Sequence, residues 1–338
     1  MGEVCNFGTH RVLSERKGIF PQAAEALDNT MEINNNEILV DVEYLKLDSA
    51  SFNQIKQQSN ANVEEMKQII SDIVAKRGKM HNPVTKSGGV FFGTVKEVGN
   101  EVITPPQIGS KIVSLVSLSL IPLKIHEIKE IKIESEEILI SGEAILFNSS
   151  IYASYNNELP LNEFIATLDV AGAPARTREI VKEGDTVLII GCGGKAGLLC
   201  LLEAKTKVKA NGKTIALAYS QADYEIIERT NLADRIIQAD ATNPLEIYEK
   251  ITEMDELADV TINCANVPRT EMASIISTKD KGLIYFFNMA TDFTSAALGA
   301  EGIGKDVRML IGNGYTENHV NIALKSTLKL KQLLSDKN

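Results

Sequence analysis

The two halves of the chain differ in the spacing of their hydrophobic residues. In the first half, Glu37–Leu45 alternates apolar and polar residues, as a half-buried strand does, and Gly89–Val98 predicts a second strand with a bend or bulge at Gly93. Between them, Asn62–Arg77 places its apolar residues on one stripe of a helix. Further short strands are predicted at Lys111–Val116, Lys124–Ile128 and Ala144–Phe147. Short strands separated by turns predict a small β-barrel or sandwich.

In the second half, Thr186–Ile190 is apolar throughout, which is typical of a central parallel strand. Strand and helix patterns then alternate, so the sequence predicts βαβ units and a doubly wound parallel sheet of the Rossmann type. The further predicted strands are Thr214–Tyr219, Arg235–Gln238, Asp259–Cys264, Gly282–Asn288 and Asp306–Ile311. One predicted helix follows Thr186–Ile190 and ends near Val208. The other predicted helices span Asp223–Asn231, Leu245–Met254, Arg269–Ser277 and Lys325–Lys337.

These patterns predict an α/β protein of two domains. The polar stretch Asn148–Glu163 marks the junction, so we expect a β-rich domain over residues 1–155 and a Rossmann domain over residues 156–338.

Composition narrows the class of protein. A formal charge of -10 and a pI near 5.1 argue against binding to nucleic acid, which usually requires a basic surface. The four cysteines are scattered and form no Cys-x-x-Cys pair, which favours a reducing compartment. The longest apolar runs are too short to span a bilayer. We therefore expect a cytoplasmic protein without a membrane partner.

A glycine motif follows the first apolar strand of the second half. Gly191, Gly193 and Ala196 complete the pattern G-x-G-x-x-A between a buried strand and a helix. In a Rossmann domain the first glycine permits a tight turn, the second lets the backbone approach a pyrophosphate, and the small third residue lets helix and strand pack closely. Gly194 and Lys195 lie in the same turn. The motif predicts a nicotinamide dinucleotide as cofactor; the alternative is a plain tight turn with a solvated lysine.

The residues after the next strands are candidates for the rest of the dinucleotide. Ser220 stands near the position where NAD-specific domains usually carry a carboxylate for the ribose, so the sequence permits NAD or NADP. Asn266 and Asn288 follow later strands, and ligands bind at the carboxyl ends of strands in such sheets. Each asparagine could contact ribose or nicotinamide, or could cap a turn.

The sequence does not predict a metal site. The histidines have no H-x-x-H or H-E-x-x-H spacing, and zinc requires three or four well-placed ligands. There is also no G-x-S-x-G elbow for a hydrolase triad. The histidines are His10, His81, His126 and His319.

A β-rich half followed by a Rossmann half resembles the medium-chain dehydrogenase/reductase family. Asn82–Gly99 is similar to the stretch that leads into one of that family's strands, and Glu183–Leu188 is similar to its approach to the first Rossmann strand. The resemblance implies a GroES-like barrel as the first domain. Zinc-dependent members carry Gly-His-Glu where this chain has Ser87-Gly88-Gly89, so the resemblance implies a zinc-free branch without a metal.

Three further segments and the first part of Asn82–Gly99 are similar to a narrower family, the L-erythro-3,5-diaminohexanoate dehydrogenases. This resemblance implies NAD(P)-dependent oxidative deamination of a diamino acid to 5-amino-3-oxohexanoate and ammonia, in anaerobic lysine degradation. It also implies a homo-oligomer, a dimer or a tetramer. The segments are Phe7–Val12, Gly18–Ala24, Asn82–Gly89 and Leu168–Arg176.

The implied reaction requires a general base, a carboxylate for the spectator ammonium and a cation for the substrate carboxylate. Asp169 and Asp48 are candidates for the ammonium, and Lys86 for proton transfer or for the carboxylate. The alternatives are helix caps for the two aspartates and a solvated side chain for the lysine. Further candidates are Ser51, in the loop that follows Glu37–Leu45, and Ser87 and His81. The competing functions are a zinc-free quinone or enoyl reductase and a non-catalytic dinucleotide sensor.

Overall fold

A computed structural model describes residues 5–14, 16, 18–253, 257–312 and 314–335. The chain forms two compact units, Met1–Ile165 and Ala166–Asn338. The sequence places the boundary earlier, after residue 155. The later boundary has a packing reason, because Phe164 is buried and its ring makes an edge-to-face contact with Tyr155, which in turn contacts Phe92 of the first unit. We call the two units the β unit and the Rossmann unit.

The β unit is built on one six-stranded antiparallel sheet in the order β6-β7-β3-β4-β5-β8, with a separate hairpin of β1 and β2. Its elements in chain order are β1 (Val12–Leu13), β2 (Ala26–Leu27), β3 (Glu37–Leu47), α1 (Ser49–Gln58), α2 (Val63–Arg77), β4 (Gly89–Val98), β5 (Lys111–Ser114), β6 (Leu123–Lys132), β7 (Glu137–Phe147), β8 (Tyr152–Ser154) and α3 (Leu161–Leu168), whose end lies beyond the boundary. The predicted helix α2 is confirmed.

Two features of the β unit differ from the sequence prediction. The irregularity expected at Gly93 lies on the facing strand, where Glu43 is the extra residue opposite Gly93. Gly93 is still needed, since a Cβ there would lie 2.3 Å from the Asp41 carbonyl oxygen. The predicted loop after β3 is the helix α1, which forms despite its polar composition because Phe52 and Ile55 are buried. Each such side chain contributes roughly 1.5–3 kcal/mol.

The Rossmann unit has a six-stranded sheet, parallel throughout, in the order β11-β10-β9-β12-β13-β14. This is the doubly wound arrangement 3-2-1-4-5-6, so the predicted fold class is confirmed. The elements in chain order are α4 (Gly172–Ile180), β9 (Thr186–Ile190), α5 (Lys195–Val208), β10 (Lys213–Ala218), α6 (Gln221–Thr230), β11 (Arg235–Gln238), α7 (Pro244–Glu253), β12 (Ala258–Asn263), α8 (Glu271–Ser277), β13 (Thr278–Phe286), α9 (Phe293–Gly302), β14 (Arg308–Ile311) and α10 (His319–Ser335).

The core of the Rossmann unit sits on both faces of β9, whose residues Val187–Ile190 are fully buried. Two predicted helices extend past the described residues, at Met254 and at 336–337. Within the described ranges, no helix is both long enough and apolar enough to cross a membrane.

Candidate functional site

The glycine motif forms the turn between β9 and α5. Gly191 has φ of 73°, a left-handed conformation that favours glycine, and a Cβ there would lie 2.6 Å from the backbone nitrogen of Ala265, which follows β12. Gly194 is the N-cap of α5, and in the described part of the chain no side chain caps this helix. The first turn of α5 therefore presents backbone N–H groups and a partial positive charge to an anion.

The close packing expected of Ala196 is made by its neighbour. Ala196 is only partly buried, whereas Gly197 is buried and a Cβ there would lie 2.4 Å from the Gly191 carbonyl oxygen. Gly197 is therefore the residue that lets α5 approach the turn. The sequence contains it directly after the motif, but the standard spacing pointed one residue too early.

A cavity of about 410 Å³ opens at the carboxyl ends of β9, β10, β11 and β12. Its wall is mostly apolar, which suits a flat aromatic base, and exposed Asn266 lies on its rim. The lining residues are Gly191, Gly194, Leu217, Tyr219, Asp240, Ala241, Thr242, Cys264, Ala265, Asn266 and Val267.

Ser220 begins α6 and forms a capping box with Asp223. The Ser220 hydroxyl accepts from the Asp223 backbone N–H at 3.1 Å, and Asp223 Oδ2 accepts from the Ser220 backbone N–H at 3.0 Å. The other carboxylate oxygen faces the glycine turn, since a Cβ on Gly193 would lie 2.1 Å from Asp223 Oδ1. The end of β10 has no carboxylate, but the Asp223 carboxylate, three residues after Ser220, lies beside the glycine turn. The spacing Ser-x-x-Asp, a capping-box signature, could have identified it.

Asn288 acts as a turn cap in this structure. Its side-chain oxygen accepts from the backbone N–H of Ala290 at 2.9 Å, and its amide donates to Asn263 Oδ1 at 3.2 Å. Asn263 is fully buried and also donates to Thr270 Oγ1 at 2.9 Å. The amide also donates to the Asn263 backbone carbonyl at 3.5 Å, so these bonds fix the loops after β12 and β13 and occupy the Asn288 side chain.

In the β unit, the loop between α2 and β4 brings several predicted site residues together. Asn82 closes a turn, because its N–H donates to the Ser87 carbonyl at 2.9 Å and its own carbonyl accepts from Lys86 N–H at 2.9 Å. Lys86 is exposed and has φ of 62°, a strained conformation for a residue other than glycine. This turn places the side chains of Thr85 and Ser87 against α1.

Three hydroxyls from these segments form a closed triangle, which we call the hydroxyl ring. Ser51 Oγ lies 2.6 Å from Thr85 Oγ1 and 3.0 Å from Ser87 Oγ, and the Ser87 hydroxyl donates to Thr85 Oγ1 at 2.9 Å. Ser51 is fully buried, while Thr85 and Ser87 are half-buried. Sequence reasoning missed Thr85, because no pattern links a threonine in this loop to a serine 34 residues earlier.

Asp48 and His81 each place an unpaired polar atom beside this loop. Asp48 is the N-cap of α1, and its Oδ1 accepts from Ser51 N–H at 2.9 Å. Among the described residues, buried atoms Asp48 Oδ2 and His81 Nδ1 have no hydrogen-bond partner. Burial, then the charges of Lys79 and Arg77, lower the pKa of the His81 imidazole, which favours its neutral form.

Asp169 lies in the turn after α3, is exposed, and belongs to the Rossmann unit. Lys195 is the exposed first residue of α5. Over the residues the structure covers, no three His, Cys, Asp or Glu side chains are grouped as a metal site would require.

The Rossmann unit and the β unit have a fold similar to that of solved oxidoreductases, among them a quinone oxidoreductase of Coxiella burnetii with a TM-score of 0.54 and 17% sequence identity, over 93% of this chain and 85% of that one. One solved structure of similar fold is the mycobacterial protein Rv1454c, complexed with NADPH. It has a TM-score of 0.54 and 13% sequence identity, and the match covers 94% of this chain and 86% of that one. At this identity the likeness concerns the fold.

Sequence comparison is more specific. Residues 10–156 match the family model described as the L-erythro-3,5-diaminohexanoate dehydrogenase N-terminal domain. The chain is 47% identical to the L-erythro-3,5-diaminohexanoate dehydrogenase of Fusobacterium nucleatum, over 96% of this chain and 95% of that one. It is 46% identical to the enzyme of the same name from Acetoanaerobium sticklandii, over 95% and 94% of the two chains. The chain belongs to the L-erythro-3,5-diaminohexanoate dehydrogenase family and is an oxidoreductase.

Proposed function

We propose that this enzyme oxidatively deaminates L-erythro-3,5-diaminohexanoate at C3, with a nicotinamide dinucleotide as hydride acceptor, in cytoplasmic lysine degradation. The C3–H bond breaks as the hydride leaves, and the nitrogen lone pair forms an iminium. Water then adds to C3 and ammonia leaves, so the products are 5-amino-3-oxohexanoate, ammonia, the reduced cofactor and a proton. Family membership supports the choice of substrate. The start of α5 after the glycine turn, which no side chain in the described part of the chain caps, supports the choice of cofactor.

The residues of the Rossmann unit fit a dinucleotide. When bound, the oxidised nicotinamide supplies the acceptor for the hydride. The backbone of Gly191, Gly193 and Gly194 and the first turn of α5, which includes Lys195 and Ala196, would hold the pyrophosphate. Asn266, on the rim of the apolar cavity, would contact a ribose of the dinucleotide.

We infer that NAD is preferred over NADP. Asp223 Oδ1 lies beside Gly193, where it would accept hydrogen bonds from a ribose and repel a 2′-phosphate. The Ser220 hydroxyl already serves the capping box, so its contribution to cofactor binding is to hold Asp223 in place.

The polar residues of the β unit fit the substrate. Lys86 would bind the carboxylate, Asp48 an ammonium, and neutral His81 would accept the proton that the reacting amine must lose. Ser87 would position the substrate through the hydroxyl ring, and Asp169 remains a second candidate for the ammonium. We further expect a homo-oligomer, as the family resemblance implies.

The test is cofactor reduction, followed by absorbance, with L-erythro-3,5-diaminohexanoate and with NAD and NADP in parallel, while ammonia is assayed. Substrate-dependent reduction with equal ammonia release supports the proposal. Cofactor binding without any reduction would overturn it. Oxidation of the reduced cofactor by quinones or enals would then indicate the reductase, and binding without turnover of any amine, carbonyl or quinone would indicate the sensor.

A further inference from the structure

The hydroxyl ring of Ser51, Thr85 and Ser87 has a fixed arrangement of protons. Its three oxygens make three mutual contacts of 2.6, 2.9 and 3.0 Å, and each hydroxyl has a single proton. Three hydrogen bonds can therefore form only if every hydroxyl donates once and accepts once around the ring. Since Ser87 donates to Thr85, Thr85 donates to Ser51 and Ser51 donates to Ser87.

This arrangement leaves acceptors and no donors. A hydroxyl oxygen has two lone pairs, so each ring member keeps one after accepting from its neighbour. Ser51 is buried behind the other two, and half-buried Thr85 and Ser87 can turn their remaining lone pairs toward a ligand. A ligand that meets this surface must donate hydrogen bonds.

The neighbouring carboxylate has the same requirement. Asp48 binds the backbone of Ser51 through Oδ1, while its buried Oδ2 lacks a partner among the described residues. An unpaired buried carboxylate oxygen is costly, and a cation with several N–H donors would satisfy it. Ser51 joins the two groups, since its backbone N–H binds Asp48 and its hydroxyl binds Thr85 and Ser87 of the loop before β4, so the ring and Asp48 offer acceptors and one negative charge around the start of α1.

We infer that the hydroxyl ring and Asp48 form the site for the C5 ammonium of the substrate, the amino group that does not react. The inference rests on the proposed function and adds which end of the substrate the β unit recognises. An alkylammonium has three N–H donors and one positive charge, which matches acceptors on Thr85, Ser87 and Asp48. Lys86 stands between Thr85 and Ser87 in sequence and is exposed, so the same loop offers a cation to the carboxylate of that substrate.

The chemistry decides which amino group this site can hold. The reacting C3 amine must be neutral before a hydride can leave, because its lone pair forms the iminium. Acceptors beside a carboxylate stabilise the charged ammonium and oppose its deprotonation. Such a site would inhibit the reaction if it held the C3 amine, whereas it binds the C5 ammonium without that penalty.

A substrate without the C5 amino group, 3-aminohexanoate, isolates this contact. We expect Thr85→Val and Ser87→Ala each to lower kcat/KM for the diamino acid roughly 10- to 100-fold, as expected for one hydrogen bond to a charged group. On 3-aminohexanoate, wild type and both variants should agree within about threefold, because the contact is already missing. Thr85→Ser keeps the hydroxyl and should restore most of the activity on the diamino acid.

Thr94→Val is the matched control, since the Thr94 hydroxyl binds Glu43 on an exposed part of the same unit. It should change neither substrate's kinetics. An equal loss on both substrates would overturn the inference and make the ring a structural clamp between α1 and the loop. No loss on either would also overturn it. If wild type releases no ammonia, the proposed function fails separately, and calorimetric binding of the two acids to wild type and Thr85→Val decides the ring's role.

Discussion

The two units present their candidate ligand groups by different means. In the Rossmann unit the anion site consists of backbone N–H groups at the start of α5, shaped by Gly191 and Gly197, where a Cβ would meet backbone atoms within 3 Å. In the β unit the site consists of side chains from α1 and from the loop before β4, joined by hydrogen bonds. A backbone site depends on local conformation, while a side-chain site depends on the packing of distant segments.

The largest effect should come from the packing of the β unit itself. Glu37 is fully buried and accepts from Arg11 Nη2 at 2.6 Å and pairs with His10 at 2.7 Å. Glu37→Gln would leave buried Arg11 with only the partly exposed Asp28 carboxylate, 3.8 Å from its Nη1, so we expect a loss of about 3–5 kcal/mol in the free energy of unfolding. Urea unfolding followed by circular dichroism measures it. Glu64→Gln, which removes an exposed pair with Lys67, should cost less than about 1 kcal/mol.

The same carboxylate predicts a dependence on pH. Burial opposes ionisation of Glu37, but hydrogen bonds from His10 and Arg11 outweigh it and lower the pKa from 4.5 to about 2. Because the folded pKa is depressed, this stabilisation is present above the unfolded pKa and is lost as the pH falls from 4.5 toward 2. Glu37→Gln should flatten the acid limb of stability in that window. A variant as acid-sensitive as the wild type would contradict the assignment.

In the Rossmann unit, adding a methyl group should cost much more stability at Gly191 than at Gly194, although both glycines lie in the same turn. Gly191→Ala places a Cβ 2.6 Å from the Ala265 backbone at a left-handed φ, so we expect a loss of roughly 2–4 kcal/mol and weak binding of NAD. At Gly194 the nearest atom to a Cβ would be 3.7 Å away, and Gly194→Ala should cost less than about 1 kcal/mol. Thermal unfolding with and without NAD compares the two. Equal losses would mean that the turn is not held by the contact with Ala265.

The same contrast explains how much the sequence predicts. The turn after β9 follows from local pattern, since a buried strand, a glycine at a tight turn and a helix are neighbours in the chain. Asp223 was missed because the expected position is the strand end, whereas the capping box brings this carboxylate back from the first turn of α6. The hydroxyl ring is harder to predict from the sequence. The sequence predicts a loop in place of α1, and the contact of Ser51 with Thr85 depends on the burial of Phe52 and Ile55.

The preference for NAD or NADP tests whether a side chain contributes to cofactor binding at the glycine turn of the Rossmann unit, in addition to the backbone N–H groups. Asp223→Ser removes the carboxylate beside Gly193, so the preference for NAD over NADP should shift roughly 10- to 100-fold toward NADP. Ser220→Ala weakens the capping box but keeps the carboxylate, so it should lower stability by about 1 kcal/mol with a smaller shift in preference. The measurement is kcat/KM for both cofactors. An unchanged ratio in Asp223→Ser would remove Asp223 from the ribose site.

The smallest expected effect concerns the base in the β unit. Lys79 is fully buried, donates to the Pro21 carbonyl at 2.8 Å, and its charge helps to lower the pKa of His81. If neutral His81 accepts the proton of the reacting amine, kcat/KM should fall as the pH drops through that pKa. Lys79→Met removes a positive charge, so the His81 pKa should rise and the acid limb should move to higher pH by less than about one unit.

The substrate's own amines ionise identically for both enzymes, so the shift between the two profiles reports the protein. Lys86→Gln is the matched control, because the charge of Lys86 also lowers the His81 pKa but has a smaller effect than the charges of Lys79 and Arg77. It should move the limb less, although its KM should rise if it binds the carboxylate. In His81→Gln this limb should be absent. An acid limb that persists unchanged in His81→Gln would assign the proton transfer elsewhere, and the polar loop would then bind the substrate without taking its proton.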